Sequence, residues 1–307
     1  MRVNKTTVTI FAFLSGQGLA RFRRACLSLR QLAGVMGVLM LMGLSQAQAA
    51  KAPAPQAKES YKGSLAGAYL AGVLAVNMHD TAAAAYYSQR LLQLDPRNPD
   101  IIERAFIAYL ADGDMGQATR LAEGMLARDP SNSLTQLVLG VRAVSTKSYG
   151  KAMSLLKRGG RGRQADVTAT LLYAWAQAGL GQYKQAIETV DRLSGEETFA
   201  IIRDLHAGLI ADLGGMESEA EKRYRSAYAN DHSTLRILDA LSRFLARTGR
   251  GEEALALFDG LDRQSRRNPF IMRALDAVKQ GAATPRSVTS VKTGAAESLF
   301  GLAMAGG

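Results

Sequence analysis

One cysteine, Cys26, and three histidines, His79, His206 and His232, are all that 307 residues contain. That supply leaves no room for a disulfide framework, an iron–sulfur cluster or a Cys/His zinc site. Proline is scarce too. Seven occur, and none lies between Ser131 and Asn268, as an all-helical stretch requires. Seven prolines and 30 glycines exclude collagen and a proline-rich stalk, while 47% hydrophobic residues exclude a chain disordered throughout. His-Glu-x-x-His, Gly-x-Ser-x-Gly and a phosphate-binding glycine loop are all missing, and the three histidines stand apart from one another. No catalytic residue, metal ligand or cofactor site is expected.

Acids are absent from residues 1–30, which carry Arg2, Lys5, Arg21, Arg23, Arg24 and Arg30. An uncharged run from Leu32 to Leu44 follows, then Ser45-Gln46-Ala47-Gln48-Ala49-Ala50. A basic stretch, a short apolar stretch and an Ala-x-Ala site predict a secretory signal peptide over 1–49, cut after Ala49. The apolar run falls short of the roughly 20 residues a membrane-spanning helix needs. Left uncleaved, it would tether the chain to the inner membrane through residues 32–44, the one membrane contact expected. The leader takes six of the 38 basic residues and leaves 32 against 27 acids, so the formal +11 falls to +5. Much of the basicity is therefore a targeting device, and no nucleic-acid partner is expected. Without Cys26 the remaining chain suits an oxidising, periplasmic or secreted location, and thiol catalysis is excluded.

The body keeps a period of 34. Ala84, Ala118, Ala152, Ala186, Ala220 and Ala254 fall in one register without exception. Twelve residues before each stand Gly72, Phe106, Gly140, Ala174, Gly208 and Ser242, small in five of six. Five residues before, four of the six carry glycine: Gly113, Gly181, Gly215 and Gly249. Pro96 and Pro130 close the first two units. Such a period predicts paired helices, with small residues where two backbones approach and glycine where the first helix ends in a left-handed turn. Asp95-Pro96 and Asp129-Pro130 end second helices, because proline disfavours helical geometry in the residue before it.

These columns resemble the tetratricopeptide repeat (TPR), whose pattern places small residues, the inter-helix glycine, the alanine and the closing proline at these offsets. The resemblance covers about Leu65 to Arg267, with units starting near Leu65, Pro99, Ser133, Val167, Ile201 and Leu235. It implies an all-α, right-handed α-solenoid of antiparallel helix pairs, about six units plus a partial seventh. The expected organisation is a signal peptide over 1–49, a short linker over 50–64, the solenoid over 65–280, a polar linker over 281–293 and an uncapped helix over 294–307. That last helix, centred on Ala295–Met304, reads as the first helix of a further repeat. It lacks a second helix to cover it, which leaves room for self-association. In the third unit, Lys157-Arg158-Gly159-Gly160-Arg161-Gly162-Arg163 predicts an early stop and a basic loop.

The resemblance also implies that first helices line a concave groove for an extended peptide or partner helix. The matching positions are Tyr69, Val73, Asn77, Glu103, Leu134, Leu137, Val141, Leu171, Trp175, Leu205, Leu209, Arg236, Asp239, Arg243 and Arg247. For each aliphatic residue the alternative is packing between repeats. Trp175 divides between an anchor for a partner and core packing. Arg243 and Arg247 could grip a carboxylate or form a solvated helix face. His206, beside the small-residue column, reads as a satisfied packing histidine. Acids at Asp112, Asp114, Glu196 and Glu197 are explained by helix ends.

The expected function is a non-catalytic scaffold that binds a protein or peptide in the cell envelope. Two alternatives stand beside it: the N-terminal regulatory part of a longer envelope enzyme or export machine, and an RNA-binding protein using the Lys157–Arg163 loop.

Overall fold

A computed structural model describes residues 63–157, 163–193, 197–261 and 267–305. The leader at 1–49, most of the 50–64 linker, the core of the basic run (158–162) and Glu196 lie outside the described residues. Fourteen α-helices and no strand occur among the described residues. They divide into two compact units, with the boundary between Asp112 and Gly113.

The N-terminal unit holds α1 (Leu65–Asn77), α2 (Thr81–Leu94) and α3 (Pro99–Asp112). Ser64 caps α1 by accepting from the Gly67 N–H at 3.1 Å, and Asp80 caps α2 by accepting from Ala83 at 3.0 Å. α2 stops at Asp95, ahead of Pro96. Its packing uses small residues: Ala75, Ala84 and Ala108 form one buried cluster, and Ala68, Leu91 and Ile101 another.

The C-terminal unit holds α4 (Met115–Arg128), α5 (Ser133–Ser145), α6 (Tyr149–Leu156), α7 (Arg163–Gly179), α8 (Tyr183–Asp191) and α9 (Glu197–Leu213). It continues with α10 (Glu217–Asn230), α11 (Leu235–Arg247), α12 (Gly251–Ala256), α13 (Pro269–Val278), a 3-10 turn at Gly281–Ala283, and α14 (Val291–Ala305). Each helix packs on the next from α4 through α12, and α13 packs on α11 and α12. The first helices α5, α7, α9 and α11 also touch in succession, more closely than the second helices do. Helix pairs stacked in this manner make a TPR-like α-solenoid.

The packing reason for the period is visible. All six register alanines are buried, none more than 3% exposed. Twelve residues earlier, Gly208 receives the ring of Tyr224: a Cβ there would stand 2.7 Å from Tyr224 Cδ1. At Gly140 the intruder is Leu156, the last residue of the short α6. A small residue on one helix and a large one on its neighbour fit as ridge into groove.

The turn between the two helices of a unit is equally periodic. Gly113, Gly181, Gly215 and Gly249 have φ of 84°, 78°, 73° and 84°. The two positions of the register without glycine, His79 and Lys147, adopt the same left-handed conformation at 58° and 60°. Five of the six turns close with one pair of hydrogen bonds. At Lys147, for example, its N–H donates to Val144 O at 3.0 Å and the next N–H, of Ser148, to Ala143 O at 2.8 Å. This is the Schellman ending, which satisfies the last helical carbonyls and reverses the chain.

Two sequence expectations are corrected. Residues 281–293 are not a free polar linker, and α14 is not the open first helix of a further repeat. The segment folds back: α14 packs against α7, α9 and α5, which are first helices of earlier units. Val288, Val291, Ala295 and Ala296 join the main hydrophobic core. The physical reason is that the apolar face of α14 finds cover on the stack itself.

Candidate functional site

The first-helix face of the C-terminal unit is floored by Val141 from α5, Leu171 and Trp175 from α7, and Leu205 and Leu209 from α9, all buried. Leu137 of α5 packs partly buried against the same cluster. Trp175, the only tryptophan in the chain, has no exposed surface. Its indole N–H donates to His206 Nδ1 of α9 at 3.2 Å, with the two rings edge to face at 6.2 Å. Burial holds the His206 pKa down at about 4; Glu297 pulls it up and Arg236 pushes it down. The imidazole is therefore neutral at physiological pH and free to accept.

Above the indole lies the backbone of α14. A Cβ at Gly294 would come within 2.3–2.4 Å of three atoms of the six-membered ring of Trp175, so only glycine fits there. Among its described side chains Gly294, Ala295, Ala296 and Ser298 are small and buried, and Val291 is buried with them. Three residues after Gly294, Glu297 reaches Arg236 of α11. Arg236 Nε donates to Oε1 at 2.6 Å and Nη2 to Oε2 at 3.1 Å, the paired geometry that suits guanidinium and carboxylate. Arg236 Nη1 also donates to Asp239 Oδ2 at 3.0 Å.

The segment leading into α14 is strapped down by the same charged groups. Ser287 hydroxyl contacts Arg236 and donates to Asp239 Oδ2 at 3.0 Å. Arg286 Nε donates to the Asp212 backbone carbonyl at 2.9 Å and lies 3.2 Å from its carboxylate. Thr284 hydroxyl donates to Ala277 O at 2.9 Å. Ser290 caps α14, its hydroxyl accepting from the Thr293 N–H at 3.2 Å.

The predicted groove residues thus separate into two groups. Leu137, Val141, Leu171, Trp175, Leu205, Leu209, Arg236, Asp239, Arg243 and Arg247 come together in the C-terminal unit. Of the two readings of Arg243 and Arg247, the solvated helix face gives way: Arg243 Nε donates to Asp239 Oδ1 at 2.6 Å, and Arg247 pairs with buried Asp212, both carboxylates of the chain itself. Burial pushes the Asp212 carboxyl up, with Arg247 and Arg286 opposing. Leu134 belongs to the same helix as Leu137 but is 44% exposed. Tyr69, Val73, Asn77 and Glu103 belong to the N-terminal unit. There Tyr69 stacks under the Arg104 guanidinium at 4.8 Å, Val73 is half-buried, and Asn77 and Glu103 are exposed.

Sequence reasoning overlooked Gly294, Glu297, Arg286 and Ser287. For Gly294 and Glu297 a signal was present as a run of small residues around one acid, Gly-Ala-Ala-Glu-Ser over 294–298, in a helix without a second helix to cover it. Among the described residues no group of three His, Cys, Asp or Glu could hold a metal ion. No helix among them is long and apolar enough to cross a membrane.

No protein-family model matches the chain, and no curated protein matches it. Among solved structures it is similar to a thermophilic TPR protein of Thermus thermophilus, at 20% identity and a TM-score of 0.30, over 71% of this chain and 100% of that one. The fold assignment rests on the register of buried alanines and left-handed turns, not on that likeness.

Proposed function

We propose that the chain is a non-catalytic scaffold of the bacterial cell envelope that takes a protein or peptide segment on its first-helix face. One observation carries the reading: that face already holds a helix, since α14 lies against α5, α7 and α9. A surface that buries one helix between an apolar floor and a charged margin has the means to bury another. Trp175, Leu171 and Leu209 supply the floor; Arg236, Asp239 and Arg243 supply the margin that sets orientation. The envelope location is supported by the basic and apolar residues ahead of Ala49 and by the absence of cysteine after them.

Site-specific photocrosslinking in intact cells tests this. A photoreactive side chain at Leu134, exposed on α5, is expected to capture a defined set of envelope proteins that the same group at Lys222, exposed on α10, does not. Identical capture at both positions, or none at Leu134, would overturn the assignment. Cell fractionation addresses the location, with recovery in the cytoplasm counting against it.

A further inference from the structure

We propose that the first-helix face around Trp175 is a docking site for a helix of a second protein with a Gly/Ala/Ser face and one glutamate, for which α14 is the chain's built-in competitor. The inference rests on the scaffold reading above and names the partner class and the regulation of that same site.

The recognition rule is read from α14 itself. Its backbone must approach the indole of Trp175 so closely that residue 294 has no side chain. Its flanking contacts are methyl-sized, at Ala295 and Ala296. Its single acid lands on a guanidinium with two parallel hydrogen bonds. A helix with a bulky residue at the first position, or a basic one three residues on, is rejected by overlap or by like charge.

Reversibility follows from what would be left behind. With α14 removed, Trp175 keeps His206 as acceptor, and Arg236 and Arg243 keep Asp239. Arg247 keeps Asp212. These polar groups of the floor and margin retain partners on the stack, so release orphans no buried charge among them; Glu297 passes into water. By contrast, a helix integral to a core takes partners away when it leaves. What release does uncover is the apolar floor, which then needs a new cover.

The tether sets the threshold. A helix joined by a short strap faces its site at an effective concentration on the order of millimolar. A free helix of equal intrinsic affinity therefore loses to α14 at micromolar levels. It wins only by binding more tightly, or once α14 is displaced.

Trp175, alone of its kind, makes its own emission the readout in the full-length protein. Gly294→Leu is expected to eject α14: the emission moves to the red and iodide quenching rises, while the far-ultraviolet circular dichroism stays largely helical. Adding a synthetic peptide with the sequence of residues 288–305 should return the emission to the blue in this variant, saturably. The wild-type emission is already blue, so there a fluorescently labelled copy of the peptide is followed by anisotropy, and half-saturation should need about 100-fold more protein than with the opened variant, because the site is occupied in cis. The same peptide carrying Glu297→Lys should fail. Should Gly294→Leu lose its cooperative unfolding transition, full-length Glu297→Lys opens the site by charge reversal without added bulk.

The proposal is overturned if Trp175 stays as shielded in both variants as in the wild type. It is equally overturned if the opened site takes the Glu297→Lys peptide as well as the native one, or if both variants lose cooperative folding, since α14 is then part of the core. Peptide docking without any capture in cells would sink the scaffold reading alone; capture in cells without peptide docking would sink only this one.

Discussion

Lys147 and Gly181 stand 34 residues apart and hold one backbone conformation, φ 60° and 78°, each closing its helix with the same two hydrogen bonds. The left-handed region costs an L-residue roughly 1–2 kcal/mol and glycine almost nothing. Lys147→Gly is therefore expected to stabilise the protein by about 1 kcal/mol after allowing for glycine's unfolded-state entropy. Gly181→Ala should destabilise it by about the same amount, although a Cβ there meets nothing within 4 Å. Urea unfolding of the two variants measures the difference, and equal stabilities would contradict the strain argument.

Gly72 and Gly208 share a column but not a neighbourhood. A Cβ at Gly72 would lie 3.5 Å from Tyr87 Cβ, an ordinary contact, whereas at Gly208 it would press on the Tyr224 ring at 2.7 Å. Gly72→Ala should stabilise by up to about 1 kcal/mol through helix propensity. Gly208→Ala should cost about 1–3 kcal/mol through overpacking. Thermal melts of both variants should shift in opposite directions.

Acid should weaken the C-terminal unit through His206. Its pKa is about 4 in the folded chain, against an ordinary histidine value of 6.5 when unfolded, with burial the main cause. The unfolded chain therefore binds the proton first, and stability is full above pH 6.5, falls through the interval, and is lost as pH drops past 4. The span corresponds to about 3 kcal/mol. His206→Gln should flatten the decline between pH 6.5 and 4, which denaturation at several pH values would register.

Arg223 ties three helices. It donates to Asp191 of α8 through two bonds of 2.7 Å, to Asp204 of α9 at 3.1 Å and to Glu219 of α10 at 2.7 Å. Asp204 is buried and would keep the Ser226 hydroxyl at 2.7 Å and the Arg203 guanidinium at 3.5 Å. Arg223→Met is expected to cost about 1–3 kcal/mol, chiefly from the buried carboxylate left with its weaker partners. Arg223→Met with Asp204→Leu should recover part of the loss, and a double-mutant cycle without coupling would exclude the linkage.

Much of this architecture was legible in the amino-acid string, because stacking repeats imposes a local rule at every turn of the period. Ala186 and Ala220 are buried for the same reason, and that reason recurs at fixed spacing. His79 and Lys147 gave no such sign: their side chains are compatible with many turns, and only the neighbouring backbone forces them left-handed. The return of α14 was hidden for a different cause. Periodicity identifies an apolar helical face, but which surface covers it depends on where residues 281–290 steer the chain, and Arg286 meets Asp212 across 74 residues of sequence. The residues of those columns lie on first helices; what covers them in the C-terminal unit was not deducible from the columns.

A row of repeats in which each touches only its neighbours ordinarily frays from its free end, one unit at a time. The clasp between α14 and helices as distant as α5 and α11 removes that freedom, since the last unit cannot melt without pulling on the third. Hydrogen exchange in α5 through α14 should accordingly show the last helices protected nearly as well as α5, and opening the clasp should lower protection in the last helices first while the stack still unfolds in one transition.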